Sequence, residues 1–294
     1  MSNRLGLAFD ADYLCFQAAA AATKAVEWDD GIITQYGDIT EAKEIFKNSV
    51  ASIKERRKNW LYAKDIMCFT DDVNWRKSVL ETYKSNRSGK PIVYPYLKQW
   101  VMDNYFCFER PTLEGDDIMG ILSTKPSLVD CDHVIICSPD KDFNTIPGEF
   151  FWMDIKGKNH ELKIVTEEEA DRWHMLQTLA GDTTDGYGGC PGVGMDTGAA
   201  FLDEPYIAVQ EARELKSGPR KGETVLEWKK RPLAEGEDLW DAIVSLFVKA
   251  GLDEGYALQQ ARVARILRAS DYNFKTKEPI LWEPARAAQG TQDV

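Results

Sequence analysis

The sequence predicts an α/β protein with a central, mainly parallel sheet and flanking helices. Three short apolar runs have the length and composition of buried strands: Leu5–Phe9, Ile66–Phe69 and Val134–Cys137. Stretches with a helical pattern lie around them: Ala11–Ala25, Thr40–Trp60 and Glu114–Ser123. Because strands that alternate with helices are joined by crossover connections, we expect these strands to run parallel in one sheet.

Each of these elements follows from its local pattern. The run LGLAF, which precedes Asp10, is continuously apolar, as expected of a strand buried on both faces. The stretch 11–25 is rich in alanine, which favours a helix. The stretch from Thr40, TEAKEIFKNSVASIKERRKNW, has apolar residues at helical spacing and begins with Thr-x-x-Lys, an imperfect helix cap.

From about Thr166 the pattern becomes mainly helical. The stretch TEEEADRWHMLQTLAGD begins with a Thr-x-x-Glu capping box and an acidic first turn. A basic hairpin is predicted at about 213–231, and a last helix near Glu254–Ala269. We therefore predict an α/β domain over residues 1–165 and a mainly helical region over 166–294.

The chain has 294 residues, of which 44% are hydrophobic, and a formal net charge of −12. Such a length and composition suffice for one large domain or two smaller ones. An acidic chain normally argues against a nucleic-acid partner, because phosphate binding favours a basic surface. If many of the acids bind divalent cations, however, the binding face becomes electropositive. The net charge therefore leaves the partner open.

Six cysteines are scattered with neither C-x-x-C nor zinc-like spacing, mostly within apolar runs. This distribution is typical of reduced thiols in the core of a cytoplasmic protein. The N-terminus lacks a basic segment followed by a long apolar stretch, and no span approaches membrane length. We therefore expect a soluble, cytoplasmic protein with no membrane partner.

Acidic residues follow each of the three predicted strands within three positions. They are Asp10 and Asp12 after the first strand, Asp71 and Asp72 after the second, and Asp140 and Asp142 after the third. The carboxyl ends of parallel strands form the ligand crevice in sheets of this kind. Two further acidic groups lie at helix starts or turns: Glu114, Asp116 and Asp117 in LEGDDIMG, and Asp182 and Asp185 in GDTTDG.

Any single pair of these acids, taken alone, is better explained as a helix cap. Gathered in one crevice, however, like charges about 4 Å apart repel by about 4 kcal/mol at an effective dielectric constant near 20. Such a set stays ionised when cations neutralise it; otherwise its pKa values rise. Ligands that are all oxygen select Mg²⁺ or Mn²⁺, and a pair of these ions is an arrangement that hydrolyses phosphodiesters.

The stretch GDTTDGYGGCPGVGMDTGAA contains a tight turn, Pro191–Gly194, that leads into a helix. Glycines allow the backbone to approach a phosphate, and the amides at a helix start point toward it. An ordinary turn explains the four residues equally well when they are taken alone. Asp182 and Asp185 lie nine and six positions upstream of Pro191, which favours a phosphate-binding role.

The stretch NWRKSVLETYKSNRSGK, residues 74–90, is basic. It contains Arg76, Lys77, Lys84, Arg87 and Lys90, interspersed with Trp75 and Tyr83. A solvated helix face is one explanation of this pattern. The segment also directly follows Asp71 and Asp72, so its cations are candidates to hold a scissile phosphate and Tyr83 is a candidate to stack on an unpaired base.

The chain resembles the 5′-nuclease (flap-endonuclease) superfamily, and within it the 5′→3′ exonucleases of T-seven-type short-tailed bacteriophages. The motifs that carry the resemblance are FDADYLCFQA, FTDDVNWRK, YKSNR, LEGDDIMG, DKDF and GDTTDGYGGCPGVG, supported by LKSGPRKGE and ARILRASDYNF…LWEP. They occur in order over roughly residues 5–284. The resemblance implies a PIN/5′-nuclease-like catalytic domain that includes a basic arch segment, residues 74–95.

The resemblance also implies roles for individual residues. The first metal site would comprise Asp10, Asp71, Glu114 and Asp116, and the second Asp142, Asp182 and Asp185, with Asp140 and Asp117 shared or in the outer shell. The implied catalytic set is Lys84, Arg87, Asp10, Asp71, Asp142 and Asp185. The implied DNA-binding set is Arg76, Lys77, Tyr83, Lys84, Arg87, Gly192, Val193 and Gly194. Two or more Mg²⁺ or Mn²⁺ ions would activate water as the nucleophile.

The implied partner is duplex DNA with a 5′ end, nick or flap, and the activity often extends to RNA paired with DNA. A helix–three-turn–helix at about residues 176–203 would grip the duplex, in the family often with a bound K⁺. The resemblance further implies a monomer in phage DNA replication, recombination and host DNA degradation. Two positions depart from the family pattern: Asp12, where many relatives have an uncharged residue, and Gln177, where some have lysine.

Two other functions remain open at this stage. A haloacid-dehalogenase-type phosphatase also has a strand followed by D-x-D and a late acidic motif. In that family a Thr or Val stands four positions after the first Asp, where this chain has Leu14. This alternative also leaves the other acidic clusters and the Pro191–Gly194 turn without a role. A catalytically inactive protein that binds DNA junctions would be expected to lack several of the acids, and none of those expected is missing.

Overall fold

The structure is a computed structural model that describes residues 4–29, 31–86, 89–153 and 160–285. The chain divides into two compact units. Within the described ranges, the sheet unit contains 4–75, 89–170 and 266–280, and the helical unit contains 76–86, 171–265 and 281–285. This division differs from a single boundary at residue 165, because 76–86 group with the helical unit and 266–280 with the sheet unit.

The regular elements are named in chain order. The strands are β1 (Leu5–Asp10), β2 (Thr23–Glu27), β3 (Ile33–Gly37), β4 (Lys64–Cys68), β5 (Cys107–Phe108), β6 (His133–Ser138), β7 (Gly148–Trp152), β8 (Glu161–Val165), β9 (Ile207–Glu214), β10 (Thr224–Arg231), β11 (Tyr272–Asn273) and β12 (Glu278–Pro279). The α-helices are α1 (Ala11–Ala21), α2 (Ile39–Lys54), α3 (Arg76–Val79), α4 (Tyr94–Asn104), α5 (Gly115–Thr124), α6 (Glu167–Ala180), α7 (Met195–Asp203), α8 (Leu239–Lys249) and α9 (Glu254–Ala264).

The sheet unit is built on a six-stranded sheet with the order β5-β4-β1-β6-β7-β8. Strand β1 pairs in parallel with both β4 and β6, and only β8 runs antiparallel to its neighbour. The predicted mainly parallel sheet is therefore confirmed. The chain fills one side of β1 with β4 and β5 before it returns to the other side as β6, so the strand order reverses between β1 and β6. Ligand crevices of open α/β sheets lie at such a reversal.

The first two predicted helices are present with different ends. Helix α1 ends at Ala21 and not at Ala25, because residues 23–27 pair as β2 with β3. Helix α2 begins at Ile39, where the Asp38 side chain accepts the N–H groups of Thr40 and Glu41, so Asp38 and not Thr40 caps it. The predicted helix also stops early, at Lys54, and a 3₁₀ turn covers Lys58–Tyr62. Strand pairing with β3 thus sets the end of α1, and the Asp38 side chain sets the start of α2.

The helical unit contains α7, α8, α9, most of α6 and the β9–β10 hairpin, which confirms the predicted hairpin. Helix α8 begins with a capping box between Asp238 and Asp241 and buries Trp240, Ile243 and Phe247 in the core of this unit. Helix α9 ends at Ala264 and not at Ala269. No helix within the described ranges is long and apolar enough to span a membrane.

Candidate active site

Asp10 lies at the carboxyl end of β1, beside the point where the strand order reverses. Its Oδ1 accepts the Tyr13 N–H at 3.0 Å, so it caps α1, and its Oδ2 accepts the Ser138 hydroxyl at 2.9 Å. Ser138 is the last residue of β6 and is fully buried. Burial, together with the nearby charges of Asp12 and Asp140, raises the pKa of Asp10 from 3.8 to about 6. The carboxylate therefore lies where a cation would be stabilising.

Asp12, whose role the sequence left open, is not a helix cap. Its Oδ2 accepts the Thr70 N–H at 2.7 Å, and its Oδ1 accepts the Tyr94 hydroxyl at 2.5 Å. These bonds join the first turn of α1 to the residue that follows β4 and to the start of α4.

Asp71 and Glu114 lie close together in the structure of the sheet unit. The Asp71 N–H donates to the Leu113 carbonyl at 3.0 Å, and Asp71 Oδ2 accepts the Thr112 N–H at 2.7 Å. The next residue after Leu113, Glu114, is buried and caps α5, whose first turn carries the half-buried Asp116. The end of β4 and the start of α5 are thus held together as the acidic positions predict.

Asp117 was predicted as a shared or outer-shell metal residue, and the structure gives it a structural role. Its side chain is 0% exposed. Its Oδ2 accepts the Trp75 indole N–H at 2.9 Å and the Glu114 N–H at 3.3 Å, and its Oδ1 accepts the Leu267 N–H at 3.1 Å. Buried N–H donors take up both oxygens, so this carboxylate stabilises the fold around the start of α5. A shared or outer-shell position for Asp117 stays a prediction.

The third acidic pair follows β6. The Asp140 N–H donates to Ser138 Oγ at 3.1 Å, and Asp140 Oδ1 accepts the Asp142 N–H at 2.8 Å. Asp140 thereby caps a 3₁₀ turn, Lys141–Thr145, whose second residue is the half-buried Asp142. Ser138 connects Asp10 to this pair. The sequence did not predict this role, because nothing in the motif SPDKD distinguishes its serine from an ordinary surface serine.

In the helical unit, Lys84 and Asp185 form an ion pair. The Lys84 Nζ lies 3.3 Å from Asp185 Oδ2, which also accepts the Tyr83 hydroxyl at 3.1 Å. The Lys84 N–H donates to the Asp185 carbonyl at 2.8 Å, and Lys84 adopts a φ of 52°. Asp182 Oδ1 accepts the N–H groups of Thr184 and Asp185, at 2.7 and 3.3 Å, so both acids belong to one tight turn.

Two glycines make this turn possible. A Cβ atom on Gly181 would lie 2.4 Å from the Gly188 carbonyl carbon, and one on Gly189 would lie 2.4 Å from the Gly181 nitrogen. Both residues have positive φ, at 69° and 62°. Only glycine allows the two backbone segments to approach so closely, and their approach fixes the position of the following residue, Asp182.

Several predicted DNA-binding residues differ in their accessibility. Tyr83 is 3% exposed and packs with Tyr187 and Val263, so its ring is not presented for stacking on a base. Arg76 is 2% exposed and donates to the carbonyls of Val263 and Arg265, at 3.0 and 2.6 Å, so it holds the fold together. In the structure, apolar packing and buried carbonyls therefore hold these two side chains, and contact of either with DNA stays a prediction.

The other members of the basic segment have different outcomes. Lys77 is exposed, as a phosphate contact requires. Arg87 lies outside the described residues. Gln177 is buried on α6, and within the described ranges its Oε1 has no hydrogen-bond partner.

The turn at Pro191–Gly194 connects α6 to α7, as predicted. Gly192 has a φ of 80°, and a Cβ atom on either Gly192 or Gly194 would meet nothing within 4 Å. Val193 is half-buried between these open positions. The turn therefore offers free space in which a phosphate group can approach its backbone.

No three His, Cys, Asp or Glu side chains in the part of the chain that the structure describes are arranged to hold a metal ion. The acids instead accept hydrogen bonds from neighbouring N–H and hydroxyl groups, so ligation would require side-chain rotation. The chemistry of the set nevertheless fits a hard divalent cation. All its donors are carboxylate oxygens, the ligands that such cations prefer.

A mainly parallel sheet with carboxylates at its order reversal defines an α/β protein of the 5′-nuclease fold. The fold agrees with two solved structures: a T5 protein co-crystallised with metal ions, with a TM-score of 0.52, 14% identity and coverage of 89% of each chain, and a variant of the T5 5′-exonuclease, with a TM-score of 0.50, 15% identity and coverage of 89% of this chain and 87% of that one. At such low identity these similarities concern the fold alone.

The sequence comparisons identify the family. Residues 7–172 match the family described as 5′-3′ exonuclease, N-terminal resolvase-like domain. The chain is 41% identical over 284 residues to the exodeoxyribonuclease of Enterobacteria phage T3, covering 95% of this chain and 92% of the relative. It is equally similar to the exonuclease of Escherichia phage T7, covering 95% and 93%. The chain therefore belongs to the 5′-3′ exonuclease family, which confirms the resemblance inferred from its motifs.

Proposed function

We propose that this protein is a 5′→3′ exodeoxyribonuclease that depends on divalent metal ions and hydrolyses phosphodiester bonds of duplex DNA from 5′ ends. The observation that carries the proposal is the position of Asp10 at the end of β1, where the strand order reverses and where Ser138 connects its carboxylate to Asp140. A carboxylate in this position is stabilised by a divalent cation, and the chain is 41% identical to two phage exonucleases over 95% of its length.

The proposed ligands to Mg²⁺ or Mn²⁺ in the sheet unit are Asp10, Asp71, Glu114, Asp116, Asp140 and Asp142. In the helical unit, Asp182 and Asp185 are proposed as ligands. Two or more ions are proposed. Such ions, when bound, lower the pKa of water and neutralise charge that develops on a phosphate. This chemistry makes water the nucleophile and Asp10 a ligand, in contrast to the phosphatase alternative, in which Asp10 would itself be phosphorylated.

The basic side chains and the turn at Pro191–Gly194 have separate proposed roles. Lys84 is proposed to stabilise the scissile phosphate. Its ammonium group is a compact point charge that pairs with Asp185 and lies over the Tyr83 ring, 5.0 Å from the centroid. Arg87 is proposed to assist it. Lys77 and the backbone at Gly192, Val193 and Gly194 are proposed to contact the DNA backbone and so position the duplex. A K⁺ ion at this turn is proposed as well.

The proposed substrates are duplexes with a 5′ end, a nick or a 5′ flap, and RNA paired with DNA, handled by a monomer. A product ladder from a 5′-labelled nicked duplex, compared with a flapped one, tests this proposal with Mg²⁺ or EDTA. Label released from the nick as nucleotides or short oligonucleotides, only with Mg²⁺, supports an exonuclease. Release of the intact flap indicates a flap endonuclease, and DNA binding without cleavage indicates an inactive junction-binding protein.

Two substitutions connect the cleavage to the proposed ligands. Asp142→Ala and Asp185→Ala should each abolish cleavage while DNA binding largely survives, because ligand loss removes chemistry and leaves the backbone contacts in place. Glu235→Ala, at an exposed acid of the helical unit, is the matched control and should cleave normally. Full activity of Asp142→Ala or Asp185→Ala would contradict the ligand assignment.

A further inference from the structure

Thr70 is a junction between three helices in the sheet unit, one position before Asp71. Its N–H donates to Asp12 Oδ2 on α1 at 2.7 Å. Its Oγ1 accepts the N–H of Gly115, the first residue of α5, at 2.9 Å. Its carbonyl accepts the Lys98 Nζ on α4 at 3.2 Å. Each polar group of this one residue thus holds a different helix against the end of β4.

Asp12 extends this junction. Its second oxygen accepts the hydroxyl of Tyr94, a buried residue at the start of α4, at 2.5 Å. The fit around Thr70 is close, since a Cβ atom on Gly115 would lie 3.3 Å from the Cys68 carbonyl oxygen and 3.5 Å from Thr70 Oγ1. Small movements of Asp12 or Thr70 are therefore transmitted to the start of α5.

The residues adjacent to this junction are the proposed metal ligands of the sheet unit. Asp10 is two positions before Asp12, Asp71 follows Thr70, and Glu114 and Asp116 are the two neighbours of Gly115. We propose that Thr70 and Asp12 are positioning residues that set the relative placement of these carboxylates, and that Asp12 is not itself a ligand. This inference rests on the proposed function, because it assigns these carboxylates to a metal ion.

The chemistry of Asp12 distinguishes positioning from ligation. Both oxygens accept hydrogen bonds from fixed donors, Thr70 N–H and Tyr94 O–H. Asp12→Asn can keep both bonds, since its carbonyl oxygen accepts from Thr70 and its NH₂ group donates to the Tyr94 oxygen. Asp12→Ala loses both. A positioning residue therefore tolerates asparagine and not alanine, whereas a metal ligand tolerates neither.

The test measures Mn²⁺ affinity of the intact protein by electron paramagnetic resonance of free Mn²⁺, and cleavage in parallel. Groups that orient metal ligands typically contribute about 10- to 100-fold in metal affinity or activity. We expect Asp12→Ala to weaken Mn²⁺ binding by about that factor, and Asp12→Asn to remain within about threefold of the parent, because it changes the charge but not the contacts.

Thr70 provides a second, independent pair of variants. Thr70→Val keeps the shape of the side chain but leaves the Gly115 N–H without its acceptor, so Mn²⁺ affinity should fall, whereas Thr70→Ser keeps the hydroxyl and should restore it. The matched control is Asp38→Ala, which removes the cap of α2 in the same unit. It should lower the unfolding temperature without altering Mn²⁺ affinity. Thermal unfolding of every variant separates loss of fold from loss of affinity.

The outcomes are distinguishable. If Asp12→Asn lowers Mn²⁺ affinity as much as Asp12→Ala, Asp12 is a ligand and the proposal is overturned. The proposal is also overturned if Mn²⁺ affinity is unchanged in Asp12→Ala and Thr70→Val. A parent protein that binds Mn²⁺ but does not cleave DNA would overturn the proposed function, while the affinity comparison still decides the positioning roles. A parent that binds no Mn²⁺ would overturn both.

Discussion

The Lys84 ammonium lies 3.3 Å from Asp185 Oδ2, and the Lys84 N–H donates to the Asp185 carbonyl at 2.8 Å. A proposed catalytic cation and a proposed metal ligand are therefore joined through both side chain and backbone. Because the Tyr83 hydroxyl also donates to Asp185 Oδ2, the carboxylate keeps one partner when the lysine is removed. The pair thus allows the catalytic role of Lys84 to be separated from its structural one.

Lys84→Ala should slow cleavage by about 10² or more, the scale of losing one preorganised electrostatic contact. Binding of the same duplex should change little, since one phosphate contact among several is lost. Single-turnover rates and fluorescence anisotropy measure the two effects. Lys275→Ala, an exposed lysine of the sheet unit, is the control. A rate for Lys84→Ala near that of the parent would refute the assignment.

The pKa of Asp10, raised from 3.8 to about 6, makes stability depend on pH. A raised folded-state pKa contributes stability that is fully present below pH 3.8 and is lost as the pH rises through about 6. Asp10→Asn stays neutral and can keep the bonds to Tyr13 and Ser138. In EDTA it should exceed the parent in unfolding free energy by up to about 3 kcal/mol above pH 6, and the excess should vanish near pH 4.

Urea unfolding across this pH range measures the excess. Added Mg²⁺ should reduce the difference in unfolding free energy between Asp10→Asn and the parent, because a ligand that binds only the folded parent stabilises the parent. Asp10→Asn should at the same time lose cleavage. A difference in unfolding free energy that is independent of pH would show that the charge of Asp10 does not destabilise the metal-free fold.

Asp117 and Asp116 are adjacent on α5 and should behave in opposite ways. Asp117→Ala removes the acceptor of three buried N–H groups and should lower the unfolding free energy by at least about 3 kcal/mol. Asp116→Ala, at a half-buried position, should cost less than about 1 kcal/mol but should impair cleavage. Equal losses of stability in the two variants would contradict the structural role of Asp117.

Gly181 and Gly192 both have positive φ but differ in their surroundings. Gly192→Ala meets no neighbour within 4 Å and should cost only the backbone strain, about 1–2 kcal/mol. Gly181→Ala places its Cβ atom 2.4 Å from the Gly188 backbone and should cost clearly more, with loss of cleavage because Asp182 moves. Chemical unfolding ranks the two variants, and equal costs would show that the close approach is unimportant.

Local pattern was sufficient to predict much of the sheet and its acidic edge. Strands β1, β4 and β6 are each a short apolar run that ends near an acid, and both properties are readable within a few residues. The Thr166–Glu169 capping box was equally visible, and the Thr166 N–H and Glu169 N–H make the expected bonds. Such features need no partner from elsewhere in the chain.

The roles of individual polar residues needed the tertiary structure. Asp116 and Asp117 have the same side chain and adjacent positions, yet of the two only Asp117 is buried. Its carboxylate accepts N–H groups from as far away in the chain as Leu267. Arg76 became a structural residue because the carbonyls of residues 263 and 265 meet its guanidinium.

The sequence by itself determined the fold class, the family and the residues from which a metal site can be built, because apolar runs, acids and motifs are properties of short segments. Only the tertiary structure decided that Asp12 holds Thr70 and Tyr94, and that α1 ends at Ala21. The physical reason is the same in both cases. The role of a polar side chain and the end of a helix both depend on which hydrogen-bond partners the fold brings to them, and those partners are distant in the chain.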